Sequence, residues 1–254
     1  KTLDGENWAE YQKIQKGGTP YRELKSCGGA KATLEMGRSL VDDDYSAGHY
    51  LSAVHGVSLF SLGLPIGLRE SDAMFDVLMR MKGGEMPSEI QEARGRLIDA
   101  MVDGHKYVYG KKVILFGESD FVMGMASFLN EIGVVPVVCA TGSKVKGFKE
   151  KLADVLSDTD LDQVTILSGV DHSEIENAAM KSGADMIMGS SKGYPMAKRM
   201  EVPLLRLGFP IHDRFGGQRI LHIGYEGALR LFDTIVNTCL QTMQEKSETG
   251  YSYI

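Results

Sequence analysis

Thiols are scarce in this 254-residue chain, which holds three cysteines, Cys27, Cys139 and Cys239, far apart and without a Cys-x-x-Cys pair. That is no disulfide framework, and a zinc or iron–sulfur site needs several thiolates converging on one point. Plainer roles fit each one: Cys27 precedes a Gly-Gly break, Cys139 ends an apolar run, and Cys239 falls on the apolar stripe of the last helix. No metal ligand set is therefore expected within the chain. Long apolar runs are missing too, since none approaches the roughly 20 residues of a membrane span, and the start Lys-Thr-Leu-Asp-Gly-Glu has no leader-like hydrophobic region. A cytoplasmic location without a membrane partner is the expectation. Positive charge is in deficit, 28 Lys+Arg against 34 Asp+Glu for a net charge of -6, which argues against nucleic acid as a partner. No G-x-G-x-x-G or G-x-x-x-x-G-K-[ST] fingerprint occurs, and no repeat of fixed period.

What is present is ordinary for a globular chain: 43% hydrophobic and 24% charged residues, with length for one or two domains that bury a core unaided. Short apolar runs alternate with helical patterns, which predicts an α/β fold of Rossmann-like parallel sheets flanked by helices, in two lobes. Strands are expected at about 32–36, 57–62, 113–116, 134–139, 164–167, 185–188 and 203–207. Pro136 removes a ladder donor, so its strand should be an edge or carry a bulge. Helices are expected at 45–55, 72–82, 89–107, 120–132, 144–156, 172–182 and 192–200. A last helix is marked by Leu229, Phe232, Ile235, Val236, Cys239, Leu240 and Met243 at three- and four-residue steps. The domains read as a partial α/β unit at 1–88 with two strands, a linking helix at 89–110, and a complete five-stranded unit at 111–254.

Strand ends feed polar or glycine-rich loops: Gly117-Glu-Ser-Asp, Thr141-Gly-Ser-Lys, Ser168-Gly-Val-Asp-His, Gly189-Ser-Ser-Lys-Gly and Gly208-Phe-Pro-Ile-His-Asp-Arg. In a doubly wound sheet these line one crevice. Strand-to-helix turns capped by Ser or Asp account for most such loops, as with Ser119 or Asp120 before the helix through Phe121. The densest group is His212, Asp213, Arg214, Arg219 and His222, joined as candidate cleft or interface residues by Ser190 and Lys192. Asp213 can orient an imidazole or pair with an arginine; arginines beside histidines suit an anionic ligand or a subunit contact. No catalytic triad or carboxylate pair is assignable, so the catalytic residues stay unknown. His105 shares a face with Leu97, Ile98, Met101 and Val102 and reads as a packed core or interface residue.

The run from Arg206 through Phe-Pro-Ile-His-Asp-Arg-Phe-Gly-Gly-Gln-Arg to Gly227 resembles the carboxyl-terminal signature of the nitrogenase component 1 family, which includes cofactor-assembly scaffolds. Segments Gly17–Lys25, Leu62–Leu68, Arg94–His105 and Phe116–Gly124 resemble the β-type half of that family in the same order. The resemblance implies a chain beginning after the amino-terminal domain whose cysteines hold an iron–sulfur cluster in the full-length complex. It also implies a homologous α-type subunit and an ATP-dependent iron protein reductase as partners. Gly37 and about Arg230 stand where the α-type has its cluster-binding Cys and His. Neither residue can donate a lone pair, which again implies a β-type chain. The implied work of the full-length complex is electron transfer for dinitrogen reduction or scaffolding of cofactor assembly, the fragment alone being inactive. Two alternatives remain open: an α/β enzyme binding a nucleotide or nucleotide-sugar, and a module that clamps a metal chelate.

Overall fold

The computed structural model describes residues 19–40, 45–157 and 159–249. Residues 1–18 of the expected first domain, including Gly17 and Gly18, lie outside the described residues. The chain divides into two compact units, one of 1–33 with 44–59 and the other of 34–43 with 60–254.

The smaller unit holds α1 (Tyr21–Ser26), the first part of β1 (Ala32–Met36), α2 (Ala47–His55) and the start of β2 (Ser58–Leu62). Ser46 caps α2 by accepting from His49 N, and Gly56 ends it at φ 70°, a left-handed position that favours glycine. β1 and β2 form a two-stranded sheet.

In the larger unit, α3 (Gly67–Lys82) and α4 (Ser88–Val108) precede a regular alternation of strand and helix. It runs β3 (Lys112–Gly117), α5 (Ser119–Glu131), β4 (Val135–Thr141), α6 (Phe148–Val155), β5 (Thr165–Ser168), α7 (His172–Ala179), β6 (Met186–Gly189), α8 (Tyr194–Met200) and β7 (Leu204–Arg206). α9 (Gly224–Lys246) follows. The five strands are ordered β5-β4-β3-β6-β7 and every pair is parallel. The α/β expectation is met, and the two-stranded and five-stranded sheets fall where the apolar runs placed them.

Alternation along β3 assigns its faces. Val113 and Leu115 enter the core shared with α5 and α9, whereas Ile114 and Phe116 enter the one shared with α7 and α8. β4 is an interior strand, so Pro136 is tolerated through a bulge: the register skips from Val113↔Pro136 to Ile114↔Val138.

The expected linking helix, α4, lies inside the larger unit and packs against α9. Gly104 permits that approach, since a Cβ there would stand 2.6 Å from Phe232 Cε1. The stripe of α9 is rotated from the sequence reading: Ala228, Leu231, Phe232, Ile235 and Cys239 are buried, Leu229, Val236 and Leu240 are half-buried, and Met243 is exposed. His105 is exposed, its ring 5.0 Å from that of Tyr109, so the core half of its expected reading is corrected. α4 points Leu97 inward but Val102 outward.

Candidate functional site

β6 and β7 end side by side, and the segment 206–223 folds back over their carboxyl ends. Leu207 N donates to Gly189 O and Ser191 N to Pro210 O, after a cis Phe209–Pro210 bond. Asp213 is the hub. Its carboxylate accepts from Arg206 Nε at 2.9 Å and Nη2 at 2.6 Å, and from Ser191 Oγ, which in turn accepts from His212 N at 3.0 Å. Arg206 and Ser191 together hold the Asp213 carboxyl well below the usual carboxylate range. Arg206 is largely buried and lies 5.7 Å from the centre of the Tyr194 ring.

Of the residues singled out in sequence, Asp213 and Arg214 meet here, Arg214 Nη1 donating to Asp213 O at 2.6 Å, and His212 contributes its backbone amide. Ser190 is buried and caps the following 3-10 turn through Lys192 N, leaving Lys192 exposed. Arg219 stacks over the Phe215 ring at 5.2 Å instead of joining the clamp. His222 sits apart: Nε2 is buried with no hydrogen-bond partner among the described residues, and burial pulls the imidazole below its ordinary pKa. Gly227 packs on it so closely that a Cβ would stand 2.5 Å from the His222 carbonyl carbon. Sequence reading missed Arg206 as the partner of Asp213 and Ser191 as the bridge; Arg206 at a strand end, seven residues before the acid, was the available signal.

Ligands of an open parallel sheet bind where crossovers diverge, here between β3 and β6. Phe116 fills that crevice: a Cβ on Gly189 or Gly193 would meet its ring at 2.5 or 2.8 Å, and its ring is 5.5 Å from that of His172, edge-on. Glu118 caps α5 by accepting from Asp120 N and Phe121 N, correcting the expected caps Ser119 and Asp120. Asp120 is turned instead to Ser39, accepting from its N at 2.8 Å and from its hydroxyl. Gly37, at φ 140°, abuts that carboxylate, and a Cβ there would stand 2.8 Å from Asp120 Oδ2. Arg230 is exposed on α9. Among the described residues no group of three or more His, Cys, Asp or Glu is arranged to hold a metal ion. Cys139 is buried, which pushes its thiol up to about 12. The segment 206–223 also exposes apolar side chains: Phe209 is 74% exposed, Phe215 99%, Ile220 54% and Ile223 51%. Among the described residues no helix is long and apolar enough to cross a membrane.

The fold is a parallel α/β unit with an apolar and cationic loop at the carboxyl edge of its sheet. The comparisons give the family. The model for nitrogenase component 1 type oxidoreductases matches residues 5–240, and the chain belongs to that family. It is 35% identical over 235 residues to the nitrogenase molybdenum-iron protein beta chain of Methanococcus maripaludis, covering 92% of this chain and 50% of the relative. It is 30% identical over 244 residues to that of Clostridium pasteurianum, covering 96% and 53% respectively. The solved structure of nitrogenase Cp1 at pH 6.5 superimposes with a TM-score of 0.89 at 29% identity, over 99% of this chain and 55% of that one. The chain thus spans about half the length of the curated relatives it matches.

Proposed function

We propose that the chain is the carboxyl-terminal part of a β-type subunit of a cytoplasmic nitrogenase component 1 complex, and that the full-length protein serves electron transfer for dinitrogen reduction. The carrying observation is the loop 206–223, held by Arg206, Asp213 and Ser191, which presents Phe209, Phe215, Ile220 and Ile223 beside Arg214 and Arg219. Such a surface suits burial against a protein partner: aromatic anchors supply area and arginines supply directed hydrogen bonds. The partner in this reading is the homologous α-type subunit, with an ATP-dependent iron protein as electron donor. The beta-chain relatives support it, as does the crowding of Gly37 by Asp120, which denies a side chain to the position where the α-type places a ligand.

An iron–sulfur cluster belongs in this reading to the full-length complex and not to these residues, because Cys27, Cys139 and Cys239 lie on separate elements. The filled crevice at Phe116 weighs against the nucleotide-binding alternative. Scaffolding of cofactor assembly is the second reading, since the family includes scaffolds. ATP-dependent substrate reduction separates the two. Full-length protein, purified anaerobically with its neighbouring gene products and given an iron protein and ATP, reduces acetylene if it transfers electrons; cluster release to a separate apo-component without turnover would overturn that role in favour of the scaffold.

A further inference from the structure

At the amino-terminal edge of the five-stranded sheet, opposite the loop 206–223, three strands begin beside a helix that stops short. By alternation from Ile114 and Phe116, Lys112 at the start of β3 belongs to the α7–α8 face of the sheet. Thr165, which leads β5, belongs to the same face by alternation from Leu167. Between them the bulge in β4 leaves Val137 paired with no residue of β3, and Val137 is buried on that face too. A bulge of this kind bends its strand and re-aims a side chain. α7 extends only to Ala179. Lys181 N then donates to Ala178 O at 3.2 Å, and Ser182 N and Oγ both donate to Ala179 O, at 3.0 and 2.7 Å. The turn thus satisfies two of the helix's last carbonyls before Gly183, at φ 62°, redirects the chain. What remains uncovered is a depression of about 580 Å³, with Val137 and Ala178 as its apolar lining.

We propose that this depression is a binding site for a small hydroxylated phosphate monoester, held by Lys112 and Lys181 at its phosphate and by Thr165 and Asn177 at its hydroxyls. The charged lining is of one sign: two ammonium groups and no carboxylate, in a chain with 34 acidic against 28 basic residues. The side chains of Lys112, Lys181, Thr165 and Asn177 make no hydrogen bond or ion pair among the described residues. The acids close by in the fold are taken. Asp185 accepts from Lys112 N at 2.8 Å and lies 4.0 Å from Lys111 Nζ, and Asp160 accepts from Gln163 Nε2 at 2.9 Å. Gln163 therefore offers the depression its carbonyl oxygen, an acceptor for a hydroxyl. The carboxyl end of α7 opposes an anion with about half a negative charge, against two full positive charges on the lysines. The lysines win. Two ammoniums match a doubly charged oxyanion, while a hydroxyl and a carboxamide, each both donor and acceptor, match alcohol groups. The volume falls within the range of small-molecule sites.

The site is independent of which partner covers the loop, and calorimetric titration of the full-length protein tests it. The probes are glucose 6-phosphate, inorganic phosphate and glucose, at low ionic strength and at a pH of about 8, where a phosphate monoester is fully dianionic. Glucose 6-phosphate should bind one-to-one with a Kd of about 1 mM or tighter. Inorganic phosphate should bind at least about threefold more weakly, since it forgoes the hydroxyl contacts, and glucose should not bind detectably. Lys112→Gln and Lys181→Gln should each weaken glucose 6-phosphate about tenfold, the worth of one charge-assisted hydrogen bond. Both lysines are exposed, so neither change opens the core, and if one variant does not fold the other decides. Lys198→Gln removes the same charge from α8, outside the depression, and should leave the affinity unchanged. No binding of glucose 6-phosphate overturns the proposal. So does binding that Lys112→Gln and Lys181→Gln leave intact, or that Lys198→Gln weakens equally. Inorganic phosphate bound as tightly as the monoester would overturn the hydroxyl contacts, and glucose bound as tightly would overturn the anion.

Discussion

Replacing Gly104 with alanine sets two effects of known size against each other. In an exposed helix interior, Gly→Ala stabilises by about 1 kcal/mol, because glycine loses more backbone freedom on folding. Here the new methyl would stand 2.6 Å from Cε1 and 2.8 Å from Cζ of Phe232, and 3.1 Å from Val236 Cγ2. Phe232 is 2% exposed. Overpacking of this kind costs about 1–3 kcal/mol, so it should outweigh the helix gain and leave Gly104→Ala about 1 kcal/mol less stable than the parent. Phe232→Leu removes the clashing ring atoms at its own cost, and on that background Gly104→Ala should turn neutral or stabilising. The coupling energy of the cycle should be at least about 1 kcal/mol. Urea unfolding followed by circular dichroism on the four proteins measures it. If Gly104→Ala raises the midpoint and the cycle shows no coupling, the close α4–α9 contact is misplaced.

Gly227→Ala should be costlier, about 2–4 kcal/mol, since the obstacle is the His222 backbone at 2.5 Å and not a side chain that can turn; its denaturation midpoint should fall below that of Gly104→Ala. Asp213→Asn should free the loop, so trypsin should cut at Arg214 and Arg219 faster than in the parent; equal rates would mean the clamp does not order it. Asp213 has a folded pKa below its ordinary value, so its contribution is present above that value and lost only as pH falls through the lower one. Hydrogen exchange in the loop, corrected for intrinsic rates, should accordingly be unchanged between pH 7 and pH 4.5. Anaerobic incubation of the chain with iron and sulfide should leave no stoichiometric iron after desalting; iron that is lost on changing Cys27 or Cys139 to Ala would show that the cysteines were misread.

Elements with a strong period were legible in the sequence. β3 and the interior of α9 announce themselves by apolar runs and three-to-four spacing, and Pro136 pointed to an edge or a bulge, of which the bulge is present. Less was legible wherever the deciding partner is distant. Part of the buried face of α9 was legible in Phe232, Ile235 and Cys239, but its rotation toward Ala228 and Leu231 depends on where Gly104 lets α4 approach. The cap of α5 passed to Glu118 because Ser39 claims Asp120 across 81 residues. In the candidate site, clustering identified Asp213 and Arg214, but pairing depended on β6 and β7 lying adjacent, which brings in Ser191 and Arg206. Glu131 gave no sign that it caps α3 by accepting from Leu68 N and Arg69 N, since an acid at a helix end reads as solvated until α3 is seen against it.

The central proposal is that the full-length protein works as one half of a hetero-oligomeric component 1, and the most direct test is the composition of the intact protein. Tagged full-length protein, expressed with its neighbouring genes and purified without oxygen, should emerge with a homologous second subunit, contain iron, and show iron–sulfur absorbance in the visible. A stable monomer free of iron and of that absorbance, purified under the same conditions, would contradict the account.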